Sequence, residues 1–214
     1  MGKLNGGGAD SGGSGAYPGW VGYIEYDDET GEAIAADYSG LEVGGVVPES
    51  LRFNKIKFRG DWKGSIGKFT IGSNMFSYCS NLTSFNGDLS SLTNGNSMFS
   101  YCSNLTSFSS DLSSLTDGSN MFSYCSNLTS FNGDLSSLTN GNSMFDYCKL
   151  DATSVERILN TIPEYTDGSS HRLTMTIQSG EAASKFGEIT GTTPNYAIRN
   201  VNFKGWTIQV YTKN

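Results

Sequence analysis

From Ser73 to Cys148 the chain sets apolar residues into fixed slots. Met75, Phe76, Cys79, Leu82, Phe85, Leu89 and Leu92 stand among Ser, Asn, Thr, Gly, Asp and Tyr, and the same slots recur 23 and 46 residues later. A fourth copy opens at Asn142 as NSMFDYC and stops. A fixed period of this size is the signature of a solenoid, in which no coil closes a core alone and neighbours must stack. Within a copy, Phe85, Gly87 and Leu89 alternate with Ser84, Asn86 and Asp88, which predicts a short strand with one polar face. Asp88 followed by Leu-Ser-Ser-Leu predicts an Asx turn or a capped helical turn. Met75–Cys79 predicts a second short helical turn, and Gly95, Gly118 and Gly141 predict corners with positive φ.

The register reaches further back than the obvious copies. Counting 23 residues upstream from Phe85, Leu89, Leu92 and Gly95 gives Trp62, Ile66, Phe69 and Gly72, a degenerate half-copy of the kind that ends a stack. Before it, Ile56 and Phe58 alternate like a strand, and Val21–Tyr26 reads as another strand turned by Asp28–Gly31. After Cys148 the period shifts. Thr153 and Glu156 form a capping box ahead of Val155, Ile158, Leu159 and Ile162, and Pro163 ends that helix. His171–Gln178 alternates as a strand. Ser179 opens a short helix through Phe186, Thr193–Pro194 starts another that Gly205 ends, and Trp206, Ile208 and Val210 form a last strand. The expected fold is an α/β repeat solenoid: a short stack of 23-residue coils with a parallel sheet. Its expected divisions are a flexible Gly/Ser-rich arm at 1–15, an aromatic, acidic N-terminal cap or attachment region at 16–61, the solenoid at 62–148 and a helix/strand cap at 149–214.

Composition narrows the functional classes. Only 36% of the 214 residues are apolar, which suits a thin solenoid core. A net charge of −7 without basic clusters argues against nucleic acid. No apolar run is long enough to span a membrane, and the first fifteen residues lack the apolar stretch of a secretory leader. The four cysteines, Cys79, Cys102, Cys125 and Cys148, share one repeat position and read as a ladder of buried thiols. Zinc is the alternative, but a linear ladder does not converge on a tetrahedron. A disulfide between adjacent coils is a further alternative.

The motif MFSYCSNLTSFNGDLSSLTNG resembles the leucine-rich repeats of BspA-like surface proteins, whose pattern runs F-x-x-C-x-x-L-x-x-[FIL]. Phe76, Cys79, Leu82 and Phe85 meet it, as do Phe99, Cys102, Leu105 and Phe108, and Phe122, Cys125, Leu128 and Phe131. The resemblance covers about 62–148, and SVERILNTI followed by NYAIRNVNFKGWTI looks like the cap of such proteins in bacteria and phages. It implies a leucine-rich-repeat stack in an adhesin, host-surface binder or phage structural protein. The leaderless start favours a virion, whose proteins leave the cell by lysis. A secreted bacterial adhesin is the alternative.

The resemblance also implies that the stacked strand face takes the ligand. That face carries Lys63, Ser84, Asn86 and Asp88, then Ser107, Ser109 and Asp111, then Ser130, Asn132 and Asp134. Short polar side chains at about 5 Å spacing form a hydrogen-bonding lattice suited to a glycan or a protein. The stacked aspartates bridge calcium or cap the following turns. Tyr78, Tyr101, Tyr124 and Tyr147 form an aromatic ladder that stacks on sugars, anchors a partner or roofs the core. The Thr83, Thr106 and Thr129 ladder suggests a remote ice-binding reading. Asn81, Asn104 and Asn127 head glycosylation sequons, and Arg59-Gly60-Asp61 is an integrin-type tripeptide. His171 is the sole histidine, and no catalytic pairing, dinucleotide turn or metal set is visible. The expectation is a non-enzymatic module without cofactor, displayed on a virion or extracellular surface. Its partners would be a host glycan or protein and, through residues 1–61, other subunits of an oligomeric assembly.

Overall fold

A computed structural model describes residues 20–21, 24–26, 33–36, 60–62, 70–178 and 198–213. The first strands are β1 (Trp20–Val21), β2 (Ile24–Tyr26) and β3 (Ala33–Ala36), joined in an antiparallel sheet in chain order. The expected strand around Ile56 and Phe58 lies outside the described residues.

The repeats build a parallel sheet of β4 (Gly60–Trp62), β5 (Leu82–Phe85), β6 (Ser107–Ser110) and β7 (Ser130–Gly133). Trp62 pairs with Phe85, Phe85 with Phe108, and Phe108 with Phe131, so the upstream half-copy is in register. Beneath the sheet Phe76, Phe99, Phe122 and Phe145 stack at 5.1–5.4 Å and meet the strand phenylalanines edge-on. Met, Cys and Leu of every copy fill the remaining core, and the repeat slots from Met75 to Cys148 are all essentially buried. This continuity is the physical content of the period, because each coil buries its apolar side chains only against its neighbours.

The opposite side of each coil is not the helical turn expected. Met75, Ser77 and Cys79 donate their amides three residues back, to Gly72, Asn74 and Phe76. The intervening amides of Asn74, Phe76 and Tyr78 instead donate to Asn96, Met98 and Ser100 of the next coil. A helix would spend all these amides within the segment. Here half of them tie coil to coil, and the chain is flipped at Asn74 (φ 60°) and Tyr78 (φ 63°). The flips recur at Ser97, Asn120 and Ser143 and at the other three tyrosines. They bring Met75, Phe76 and Ser77, three consecutive residues, all into the interior.

The expected positive φ at Gly95, Gly118 and Gly141 is absent, because the left-handed corners fall on Asn, Ser and Tyr. The glycines answer a packing demand. A Cβ at Gly118 would sit 3.0 Å from the Met144 sulfur, and one at Gly141 would sit 2.6 Å from Leu173 Cδ1.

The C-terminal cap closes both sides of the stack. Helix α1 (Ala152–Thr161) is capped by Asp151, whose carboxylate accepts the Ser154 amide at 2.8 Å, rather than by Thr153 as expected. Asp151 holds the extended backbone of a cap while Thr153 is already inside the first turn. Ser154 then covers the edge of β7, donating to Thr129 O at 3.0 Å and accepting from Phe131 N at 2.8 Å. Lys149 and Asp151 amides take the carbonyls of Leu128 and Thr129, so the sheet edge is satisfied. On the other side, β8 (Gly141–Leu150) continues the fourth coil and pairs in parallel with β9 (His171–Gln178). That sheet adds β11 (Trp206–Lys213) and then β10 (Ile198–Phe203) at its edge.

Strand β10 replaces the second half of an expected helix. It pairs antiparallel with β11 across Lys204 and Gly205, at φ 51° and 79°, the signature of a two-residue type I′ hairpin. The glycine read as a helix terminator is a hairpin turn, and alternation in Val201-Asn202-Phe203 fits the strand. Lys204 Nζ crosses to the end of α1 and donates to the carbonyls of Leu159, Asn160 and Ile162, where a cation complements the helix terminus. The short helix expected from Ser179 lies outside the described residues.

Candidate functional site

The strand that carries the polar face is shorter than expected and is ended by aspartate. Asp88, Asp111 and Asp134 each turn Oδ1 back onto the amide two residues ahead, at Ser90, Ser113 and Ser136, at 3.0, 2.8 and 2.8 Å. These Asx turns fold the chain out of the sheet and leave a trough along the strand ends. The trough encloses about 590 Å³, and Asn86, Asp88, Ser109, Asp111, Asn132 and Asp134 all line it. Six of the ten expected face residues therefore meet in one place. Ser84, Ser107 and Ser130 sit at the other end of the polar row, where Ser130 borders a second groove of about 600 Å³ against α1. Lys63 lies outside the described residues.

The sequence reading missed Arg157, which lines both grooves. The signal was available, since Arg157 stands 23 residues after Asp134 and is next in the aspartate ladder. It was lost because the chain has become a helix there and the repeat no longer looks like itself. Ser110 was missed as well; it holds the Gly87 carbonyl of the preceding coil with its hydroxyl. Among the described residues no set of three or more His, Cys, Asp or Glu side chains is arranged to hold a metal ion.

The tyrosine ladder has a different character. Rings of Tyr78, Tyr101, Tyr124 and Tyr147 stack on one another at 4.6, 4.5 and 4.3 Å and within 16° of parallel. They are 62, 39, 38 and 51% exposed, so they do not roof the core. Their inward faces are spent on each other, and what lines the surface is ring edges and hydroxyls. A bond to Tyr147 pushes the Tyr124 phenol above its ordinary range. Sugar stacking needs a free ring face, and the inner rungs of this ladder have none to give.

The threonine rows likewise spend their hydroxyls on the stack. Thr106 and Thr129 donate to the carbonyls of Thr83 and Thr106 at 3.1 and 3.3 Å. The four cysteines are free and buried. Thiols of Cys102, Cys125 and Cys148 donate to Phe76, Phe99 and Phe122 carbonyls at 3.0–3.2 Å. Burial pushes Cys79, Cys102 and Cys125 upward, away from the reactive thiolate. Of the Arg-Gly-Asp tripeptide, Gly60 and Asp61 are paired into β4.

The family model described as BspA type leucine rich repeat region matches residues 64–173, in six copies. The chain belongs to the BspA-type leucine-rich-repeat family. Its parallel strands and solenoid stack are those of the family, whose repeats are typical of surface and adhesion proteins and bind rather than catalyse. A search of curated proteins gives no match, and neither does a search of solved structures. Among the described residues no helix is long and apolar enough to cross a membrane.

Proposed function

We propose that the chain is a non-enzymatic binding module, displayed on a phage virion or cell surface, whose strand-end trough contacts a glycan. The observation that carries this reading is the convergence of Asn86, Ser109 and Asn132 with Asp88, Asp111 and Asp134 in one open groove. Carboxylates, amides and hydroxyls repeated on a rigid lattice are acceptors and donors matched to a row of sugar hydroxyls. A protein surface rich in polar side chains is the alternative occupant. Residues 1–61 are the proposed attachment side toward other subunits. Family membership also suits a bacterial surface adhesin, and antibody labelling of purified virions against cell envelopes separates the two settings.

The test is a glycan array and a host-cell pull-down with the full chain and with Asp111→Lys. Glycan binding that the substitution abolishes supports the reading. Binding that survives Asp111→Lys, or an empty array with a captured host protein, overturns the glycan assignment.

A further inference from the structure

Arg157 adds a chemical detail to that trough, and the inference rests on the glycan reading above. The ladder Asp88, Asp111, Asp134 repeats one carboxylate per coil, and the next rung is a guanidinium. Its Nε donates to Gly133 O at 3.3 Å, which fixes the stem and leaves both Nη groups for other partners. Arg157 forms no ion pair among the described residues, although the neighbouring aspartates share its groove. The nearest rung, Asp134, has its Oδ1 turned onto the Ser136 amide. The two grooves meet at Asn132 and Arg157, so among the described residues their one cation lies between the aspartate ladder and the α1 groove with Glu156.

We infer that the ligand is a glycan with a single carboxylate-bearing terminal sugar, its carboxylate held by the Arg157 fork and its neutral sugars running along the aspartate ladder. A polyanion is repelled by Asp88, Asp111, Asp134 and Glu156. A neutral glycan leaves the guanidinium unused. One carboxylate next to a chain of hydroxyls satisfies both halves, since a guanidinium pairs bidentately with a carboxylate and ionised carboxylates accept hydroxyl protons.

The experiment titrates the full chain with three probes: a neutral oligosaccharide, the same oligosaccharide ending in a sialic or uronic acid, and the methyl ester of that acid. The acid is expected to bind roughly 10- to 150-fold more tightly than its ester, the range of one charge-assisted pair. Arg157→Gln is expected to erase that difference, and Arg157→Lys to restore part of it. Matching melting curves confirm that the exposed substitutions leave the fold intact. Equal binding of acid and ester to the unmodified chain overturns this inference and leaves the glycan reading standing. No binding of any probe overturns both. A lysine-rich peptide that binds more tightly after Arg157→Gln also overturns both, because it marks the trough as a cation site.

Discussion

The left-handed tyrosines offer a sharp test of how the stack is held. Tyr101 has φ 62°, and its ring lies 4.6 Å from Tyr78 and 4.5 Å from Tyr124. For a residue with a Cβ this backbone costs about 1–2 kcal/mol, and each stacked pair returns about 0.5–1.5 kcal/mol. Tyr101→Ala keeps the strain and loses both pairs, a loss of about 1–3 kcal/mol. Tyr101→Gly loses the same pairs but releases the strain, against about 0.5–1 kcal/mol of extra backbone entropy in the unfolded chain. The glycine variant is therefore expected to be the more stable by about 1 kcal/mol, a melting difference of about 2–4 °C at this chain length. Asn104, exposed and with φ outside the left-handed region, serves as the control, where alanine should outrank glycine. Chemical denaturation of the four variants reads both orders. If Tyr101→Ala equals or exceeds Tyr101→Gly, the strain argument is wrong.

Three further substitutions probe the core, a defect and the cap. Cys102→Ser should destabilise by about 1–3 kcal/mol, because it buries a hydroxyl where a thiol packs with no exposure, and an unchanged midpoint would contradict the buried ladder. Asp146 takes the slot of Ser77, Ser100 and Ser123, its Oδ1 is buried with no hydrogen-bond partner among the described residues, and burial raises its pKa above 3.8. The folded state thus holds that proton more tightly, so stability is lost as pH rises through the raised value. Asp146→Ser should stabilise by about 1 kcal/mol at neutral pH, discounted for partial exposure. That gain should shrink at pH below the ordinary carboxylate range, and a pH-independent gain would refute the assignment. Ser154→Ala removes both side-chain bonds to the β7 edge and should cost about 1–3 kcal/mol, with amide exchange quickening first at Phe131.

The parts of this molecule that the sequence made legible are those governed by burial. Trp62 could be placed beside Phe85 by counting, and the pairing is in register. The period reports side chains that must meet their equivalents, and phenylalanine in a narrow core has few places to go. Backbone conformation was less legible. The segment from Asn74 to Cys79 has helix-compatible residues, but its amides are claimed by the adjacent coil, a partner that no local propensity contains. Lys204-Gly205 carried two meanings, helix end or hairpin, and only the parallel strand β9, which gives β11 a place to pair, decides between them. The trough was half legible. Asn86, Asn132 and the aspartates announce themselves by repetition, whereas Arg157 enters from a helix in the same register and is invisible to a search for repeated words.

Ligand recognition is proposed for the trough lined by Asp88, Asp111, Asp134 and Arg157, on the strand side and away from the tyrosine ladder. The most direct test is a residue-resolved map of amide chemical-shift changes in the full chain as a glycan selected from the array is added. Shifts concentrated at 86–88, 109–113, 132–134 and Arg157, with 78, 101, 124 and 147 still, are the predicted result. Shifts concentrated on the four tyrosines, with the trough unmoved, would contradict it.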